Sequence, residues 1–189
     1  SGAASRPRKG SEGEAEERNI IYYNIAETNF PTLSQDLEPE FIAISDNSRT
    51  AYVVCQENNA IATVNIERGS PPEITDLQGL GFKDNTIIGN GYDSSENGKI
   101  EIVTHPTRMS YQPDSLVYMR KNYTNLLVMA AEGDDRDYDA YEELIKVKDL
   151  DLDPNTFPDA ELLQEDEIMG DLRVSLVDGD TDGDGDIDI

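Results

Sequence analysis

The sequence predicts a mostly β protein that forms part of a β-propeller, with about two blades of antiparallel meanders and irregular acidic insertions. Two observations support this expectation. Short runs rich in β-branched and aromatic residues alternate with dipeptides that favour tight turns, a pattern typical of hairpins. The same order of runs then returns 74 to 75 residues later, and repeating a meander is how a propeller is assembled.

The first meander lies between Pro39 and Pro72. Its three predicted strands are 41–45, 50–56 and 60–66, and the dipeptides Asp46-Asn47 and Asn58-Asn59 separate them. Asparagine and aspartate tolerate the backbone conformations that hairpin turns require. Side chains of the third run alternate between two faces, which predicts a half-buried strand.

The second meander repeats the first. The letters PDSLV from Pro113 echo PEFIA from Pro39, and LLVMAAEGD from Leu126 echoes AYVVCQENN from Ala51. In this alignment Glu132 coincides with Glu57. Residues 81–111 then form an insertion between two blades. Because a propeller ring needs roughly 4 to 8 blades, we expect the chain to be a fragment of a longer protein.

Three segments follow from this organisation. Residues 1–19 are small, basic and then acidic, and we expect a disordered tail. Residues 20–177 form the N-terminal part of the propeller domain, beginning with a strand in NIIYYN. Within this part, 141–147 fits a short helix or a strand, DAELLQED predicts a helical turn, and LRVSLVDG predicts a strand. Residues 178–189 form a truncated acidic segment that resembles a calcium loop.

The composition limits the possible partners. Apolar residues make up 37% of the chain and tryptophan is absent, so the core is expected to be thin. Forty acidic residues face 15 basic ones, and the net charge of −25 repels nucleic acids and attracts cations. No run approaches the roughly 18 apolar residues of a membrane-spanning helix. We therefore expect no nucleic-acid partner and no membrane span in this chain.

The acidic segment reads DGDTDGDGDID over residues 178–188. An EF-hand loop binds calcium through positions 1, 3, 5, 7, 9 and 12, with glycine at position 6. Placing position 1 at Asp180 puts Gly185 at position 6 and the apolar Ile187 at position 8. Position 12 falls beyond Ile189, so we expect reduced affinity, and a solvated acidic tail is the alternative. The predicted calcium ligands are Asp180, Asp182, Asp184, Asp186 and Asp188.

A second acidic motif, EGDDRDY, supplies the further predicted metal ligands Glu132, Asp134, Asp135 and Asp137. On this hypothesis Arg136 is a counter-ion or contacts an anion. The alternative is that Gly133-Asp134 forms a turn and Arg136 pairs with a neighbouring blade. A third polar stretch, with Asp93, Ser95 and Asn97, is better explained as a hairpin loop.

The sequence favours a non-enzymatic protein. It contains no nucleophile elbow, phosphate-binding glycine loop or zinc-binding helix, and so predicts no catalytic residue. The single histidine, His105, has no histidine or cysteine near it in sequence to complete a zinc site. Cys55 lies in an apolar run and is expected to fill core. Asn122 begins the glycosylation sequon Asn122-Tyr123-Thr124.

Several phrases together resemble the choice-of-anchor I domain family. They are PEFIAISDNSRTAYVVCQENNAIATVNI, LGFKDNTIIGNGYDSSENGKIEI, YQPDSL, AAEGDDRDYDAYEELIKVKDLDLDPNTFPDAELLQ and MGDLRVSLVDGDTDGDGDID, spanning roughly Leu37 to Asp188. The family includes the mesenchyme-specific cell-surface glycoprotein of sea-urchin skeleton-forming cells and secreted bacterial proteins, some labelled alkaline phosphatase-like. The resemblance implies a longer β-propeller, an extracellular or cell-surface location and, in animals, a role in biomineralisation.

The expected function is therefore that of an extracellular or cell-surface calcium-binding propeller, with calcium as its cofactor. Its expected partners are calcium ions or calcium mineral and, more broadly, extracellular matrix proteins, while any signal or anchor lies outside this chain. A calcium-dependent phosphoesterase is the alternative, and protein-interaction scaffolding is a third possibility. A propeller with missing blades would expose sheet edges, so we expect marginal stability and association.

Overall fold

The structure is a computed structural model that describes residues 33–139, 141–176, 179–180 and 185–188. It is mostly β, with antiparallel sheets and short helices. The chain divides into two compact units. The first comprises Ser1–Phe82 and Ser110–Asp134, and the second comprises Lys83–Met109 and Asp135–Ile189. The strand expected in NIIYYN lies outside the described residues.

A four-stranded antiparallel sheet forms most of the first unit. A helical turn, α1 (Leu33–Asp36), precedes the strands β1 (Pro39–Ile44), β2 (Thr50–Cys55), β3 (Ala60–Asn65) and β4 (Glu73–Gly79), which pair in the order β1-β2-β3-β4. The three strands of the predicted meander are confirmed to within about two residues at each end. Strand β4 was not predicted from the sequence; it is exposed over most of its length and carries Glu73 and Asp76.

The burial of β3 differs from the predicted alternation. Ala60, Ile61 and Ala62 are all buried, whereas the remaining residues of the strand are intermediate. Both faces of the sheet are thus covered at the start of β3. Leu33 of α1 and Leu77 of β4 pack against Ala60, which accounts for part of this cover.

The second meander repeats the geometry of the first pair of strands. Strands β7 (Pro113–Lys121) and β8 (Thr124–Ala131) form an antiparallel hairpin. Its register shifts after Pro113, as the β1–β2 register shifts after Pro39 at the aligned position. The hairpin is a two-stranded sheet within the described residues, so the repeat reproduces half of the first sheet.

Short elements build the second unit. Strands β5 (Phe82–Asp84) and β6 (Arg108–Ser110) pair with each other, and all of their residues except Phe82 and Ser110 belong to this unit. The segment between them contains an isolated bridge from Tyr92 to Val103. Further along, β9 (Asp137–Tyr138) pairs with β10 (Tyr141–Glu142), and β11 (Leu144–Lys146) pairs with β12 (Arg173–Ser175). A 3₁₀ turn (Val147–Asp149) and α2 (Ala160–Leu163) lie between the last two strands.

These elements resolve the open sequence predictions for the second unit. The segment 141–147 is extended as far as Lys146 and then enters the 3₁₀ turn, which favours the strand interpretation. The predicted helical turn and the predicted strand are confirmed as α2 and β12.

The apolar core is thin, as the composition predicts. The buried hydrophobic residues that the structure describes are Ala51, Val54, Cys55, Ala60, Ile61, Ala62, Leu116, Val147, Phe157 and Met169. Polar side chains are buried in similar number, including Asn58, Asn59 and Asn85. Burying amides requires hydrogen bonds, so each unit depends on satisfied polar contacts as well as on apolar packing.

Candidate functional site

The acidic segment 178–188, called the acidic loop from here on, is closed by two hydrogen bonds among its described residues. The Gly185 N–H donates to Asp180 Oδ2 at 3.1 Å, and the Asp188 N–H donates to the Gly179 carbonyl at 2.8 Å. Asp182 and Asp184 lie outside the described residues. The first of these bonds joins the two residues that the sequence alignment assigns to positions 1 and 6 of a calcium loop.

Two glycines allow the loop to close in this way. Gly185 has a φ of +103°, which an L side chain adopts only with strain. A Cβ added to Gly179 would lie 2.8 Å from the Ile187 Cδ1, so the isoleucine side chain occupies the space that a larger residue would need. The glycines at these positions thus serve backbone geometry and packing.

Ile187 attaches the loop to a second acidic segment, KDLDLDP. The Ile187 N–H donates to the Asp151 carbonyl at 2.9 Å, and the Asp153 N–H donates to the Ile187 carbonyl at 3.0 Å. Ile187 and Leu152 thereby form a parallel bridge. The backbone on either side of Ile187, which carries Asp186 and Asp188, is held in place by this bridge.

Asp153 stabilises the turn that follows the bridge. Its Oδ1 accepts the N–H of Asn155 at 2.9 Å, and its Oδ2 accepts the N–H of Thr156 at 3.1 Å. The hydrogen bond from the Asn155 backbone, together with the bonds from Thr156, holds the pKa of Asp153 below its usual range. Asp153 therefore stays ionised at neutral pH, and its carboxylate holds the backbone of residues 153–156.

The EGDDRDY motif divides between the two units. Glu132 and Asp134 belong to the first unit, where the N–H groups of Glu132 and Gly133 donate to the Gln112 carbonyl. The Gln112 Nε2 donates to the Asp134 carbonyl at 2.7 Å. Gly133 has a φ of +89°, a conformation that favours glycine, but Gly133 and Asp134 lie in irregular backbone rather than in the turn that the alternative interpretation expects.

The other half of the motif belongs to the second unit, where Asp135 is half-buried and Asp137 starts β9. Arg136 between them is buried and pairs with Glu143, seven residues along the chain, at 3.1 Å. Glu143 also accepts the Arg136 N–H and the Ser175 hydroxyl. This partner was not predicted from the sequence, because Glu143 is one of several acids in its run and only tertiary burial distinguishes it.

The carboxylates do not form a compact ligand set in the part of the chain that is described. Among those residues, no three aspartate, glutamate, histidine or cysteine side chains are grouped closely enough to hold one metal ion. Asp182 and Asp184, the central pair of the predicted loop, lie outside that part. The predicted ligand sets therefore stay predictions.

His105 lies in a buried polar cluster of the second unit. Its Nε2 is 2.9 Å from the Ser94 Oγ, and Ser94 also donates to the Ile168 carbonyl. The His105 ring contacts Tyr92, whose hydroxyl is 3.1 Å from the Thr107 Oγ1. Burial lowers the pKa of His105, so the ring is neutral at physiological pH. The short Ser94 bond to a carbonyl gives this hydroxyl a structural role.

Cys55 and Asn122 lie where the sequence suggests. Cys55 is buried, and burial, followed by the nearby charge of Glu57, raises the pKa of its thiol to about 11. Such a thiol stays protonated and behaves as a small core residue. Asn122 occupies the exposed two-residue turn between β7 and β8, where both turn residues have positive φ.

Glu57 is a candidate functional residue whose only sequence signal is its alignment with Glu132 in the repeat. It lies in the turn between β2 and β3 and is 7% exposed, and its Oε2 has no hydrogen-bond partner. Burial raises its pKa, and the neighbouring carboxylates raise it further. Burial of a turn is a tertiary property, so the sequence carried no signal for it beyond the repeat.

Comparison with known proteins identifies the family. No curated protein and no solved structure matches the chain. In the described residues there is no helix that is both long and apolar enough to cross a membrane. The family model for the choice-of-anchor I domain matches residues 8–189, which is nearly the whole sequence. The chain therefore belongs to the choice-of-anchor I domain family.

Proposed function

We propose that this protein is a non-enzymatic calcium-binding module of an extracellular or cell-surface protein, and that its acidic loop holds a discrete calcium ion. The hydrogen bond from Gly185 to Asp180 carries this proposal, because it closes the loop between the residues aligned with positions 1 and 6 of an EF-hand. A solvated acidic tail has no need of this contact, of the Gly185 conformation, or of the bridge to Leu152.

The loop would bind its ion through oxygen ligands. Calcium takes six to eight oxygens from carboxylates, backbone carbonyls and water, at roughly 2.3–2.6 Å. Asp180, Asp182 and Asp184 would supply side-chain oxygens, Asp186 a backbone carbonyl, and Asp188 a contact made through water. Asp182 and Asp184 are the ligands on which the proposal depends most, since they provide the central negative charge.

The typical location of the family and the charge of this chain support the proposed role. Choice-of-anchor domains are typically found on cell-surface or extracellular proteins, where calcium is abundant. A net charge of −25 raises the local calcium concentration through long-range attraction. We infer a role at calcium-rich surfaces, including the organisation of calcium mineral within a matrix.

We also infer that the repeated meanders belong to a β-propeller. The matching register shifts after Pro39 and Pro113 support this, because they place equivalent irregularities at equivalent points of the two hairpins. The stacking of Tyr52 on Tyr118, with ring centroids 5.8 Å apart, joins the two meanders within the first unit.

Calcium titration by isothermal calorimetry tests the proposed function. At physiological salt, we expect saturable heat from the full chain and loss of that component in Asp182→Ala/Asp184→Ala. Heat that is featureless, or that the double substitution leaves unchanged, would contradict the loop site. Hydrolysis of a generic phosphate ester by the wild type, abolished in the same variant, would instead favour a calcium-dependent phosphoesterase.

A further inference from the structure

The turn between β2 and β3 is polar and almost completely buried. Its four residues, Gln56, Glu57, Asn58 and Asn59, are between 0% and 7% exposed. Turns usually lie on the surface because their polar groups need water. A buried turn of this composition requires a specific partner for each polar atom.

The three amide side chains of the turn have such partners. Asn59 accepts the N–H groups of Tyr111 and Gln112 at 3.1 and 3.0 Å, and donates to the Gly81 carbonyl at 2.8 Å. Asn58 donates to Asp36 Oδ2 at 3.0 Å, and Gln56 donates to the Gln112 carbonyl at 3.4 Å. The carboxyl group of Glu57 is the exception, because its buried Oε2 accepts no hydrogen bond.

The charges around Glu57 add to this imbalance. After burial, the largest charge effects on its pKa come from Glu38 and Asp134, followed by Glu40, and all three raise it. A buried carboxylate among other carboxylates is strongly unfavourable unless it gains a proton or a cation. Either would remove the unfavourable charge, but a cation would also neutralise the surrounding acids.

Carbonyl oxygens near Glu57 could complete a cation site. The Gln112 Nε2 is 3.5 Å from the Glu57 carbonyl and 2.7 Å from the Asp134 carbonyl, so a single amide group brings these two segments together. Carbonyls have two lone pairs and can ligate an ion while they accept a hydrogen bond. Among the described residues, no three carboxylates around Glu57 lie close enough together to bind the same ion. The remaining ligands would therefore be carbonyls and water.

We propose that Glu57 binds a calcium ion at the turn between β2 and β3, with Oε2 as the direct carboxylate ligand. Backbone carbonyls and water complete the coordination, and Glu38 and Asp134 strengthen binding by their charge. This site uses none of the residues of the acidic loop, so it goes beyond the proposed function. Its consequence is structural: the ion stabilises the first unit where the two meanders meet through Gln112.

The test compares calcium-dependent stability in two variants of the full chain. Urea unfolding is measured with excess EDTA and with calcium chloride for the wild type, Glu57→Gln and Asp180→Asn. We expect Glu57→Gln to lose part of the calcium-dependent stabilisation that Asp180→Asn retains. Calorimetry should show at least about tenfold weaker calcium affinity for one component in Glu57→Gln. Glu73→Gln, which neutralises an exposed acid of the same unit, is the matched control and should behave like the wild type.

If Glu57 is instead protonated and binds no ion, Glu57→Gln leaves the calcium response unchanged, and that result would overturn the proposal. Glu57→Asp retains the charge but withdraws the ligand atom, and it must also weaken the same component if the proposal holds. Failure of Asp180→Asn to alter calcium binding, with the Glu57 effect intact, would instead contradict the loop and leave the Glu57 site standing.

Discussion

Arg136 and Glu143 form an almost fully buried ion pair, with Nη1 and Oε2 separated by 3.1 Å and side-chain exposures of 1% and 2%. The Arg136 N–H and the Ser175 hydroxyl add hydrogen bonds to the same carboxylate. The pair joins the start of the β9–β10 region to the β11–β12 sheet, because Ser175 lies in β12. An arginine in an acidic motif thus has an internal structural role.

Removing one partner of this pair should strongly destabilise the second unit. In Arg136→Ala the Glu143 carboxylate would remain buried without its counter-charge, so we expect a loss of about 3–5 kcal/mol in the free energy of unfolding. Chemical denaturation measures this loss. Arg173→Ala breaks the exposed pair with Glu142 and should cost less than about 1 kcal/mol. Equal losses in the two variants would contradict the assignment of a buried pair.

Asn59→Ala should destabilise the first unit. The substitution leaves the N–H groups of Tyr111 and Gln112 without their acceptor and places alanine at a φ of +49°. We expect a loss of at least about 3 kcal/mol in urea unfolding. Asn59→Gly removes the same hydrogen bonds but tolerates the backbone, so the difference between the variants gives the strain. Losses below about 1 kcal/mol in both would show that the side chain has little effect on stability.

Asp171 should stabilise the second unit in a pH-dependent manner. Hydrogen bonds from Lys146 and then Lys148, at 2.6 and 2.8 Å, lower its pKa from 3.8 to about 2. Since the folded-state pKa is depressed, the stabilisation is complete above pH 3.8 and is lost as the pH falls through about 2. Asp171→Asn should therefore be less stable than the wild type at pH 7, with the difference vanishing below about pH 2. A difference independent of pH would contradict this charge effect.

Gly185→Ala should weaken calcium binding if the acidic loop holds the ion. An alanine at a φ of +103° strains the residue whose N–H closes the loop onto Asp180. Gly89→Ala is the matched control, because Gly89 has a φ of +100° and lies outside the loop. Calorimetry should show lower calcium affinity only in Gly185→Ala. The same decrease in both variants would mean that strain acts through overall stability.

A charge on β8 should reduce self-association. The eight residues of β8 include no charged residue or proline, and most of the strand is exposed. Natural edge strands usually carry such residues to prevent pairing with other chains. We expect Val128→Lys to lower light scattering at high protein concentration. Ile74→Lys is the control on β4, which already carries Glu73 and Asp76, and it should have little effect.

The sequence predicted the elements that local chemistry determines. Turn-forming dipeptides at 46–47 and 58–59 located β1, β2 and β3, because their strands are bounded by residues that hairpins require. Strand β4 was missed because its acidic, exposed sequence pairs only through contact with β3. The second meander diverges after β8, where Asp137–Tyr138 pairs locally with Tyr141–Glu142.

In the candidate sites too, the sequence predicted what depends on local spacing and missed what depends on burial. The loop spacing assigned Gly185 to position 6 of a calcium loop, and its positive φ fits the glycine expected there. Glu57 and Glu143 were not recognised, because their importance arises from burial among residues distant in sequence. In a chain with forty acids, sequence alone cannot separate a buried carboxylate from a solvated one.

The bridge between Ile187 and Leu152 makes the acidic loop observable from a distant part of the sequence. The Asp153 amide donates to the Ile187 carbonyl, so its hydrogen-exchange rate depends on how long the loop remains in place. Calcium binding to the acidic loop should slow exchange at this amide, which lies 26 residues before Gly179. Asp153 can thus serve as a native spectroscopic reporter, which avoids placing a probe among the proposed ligands themselves.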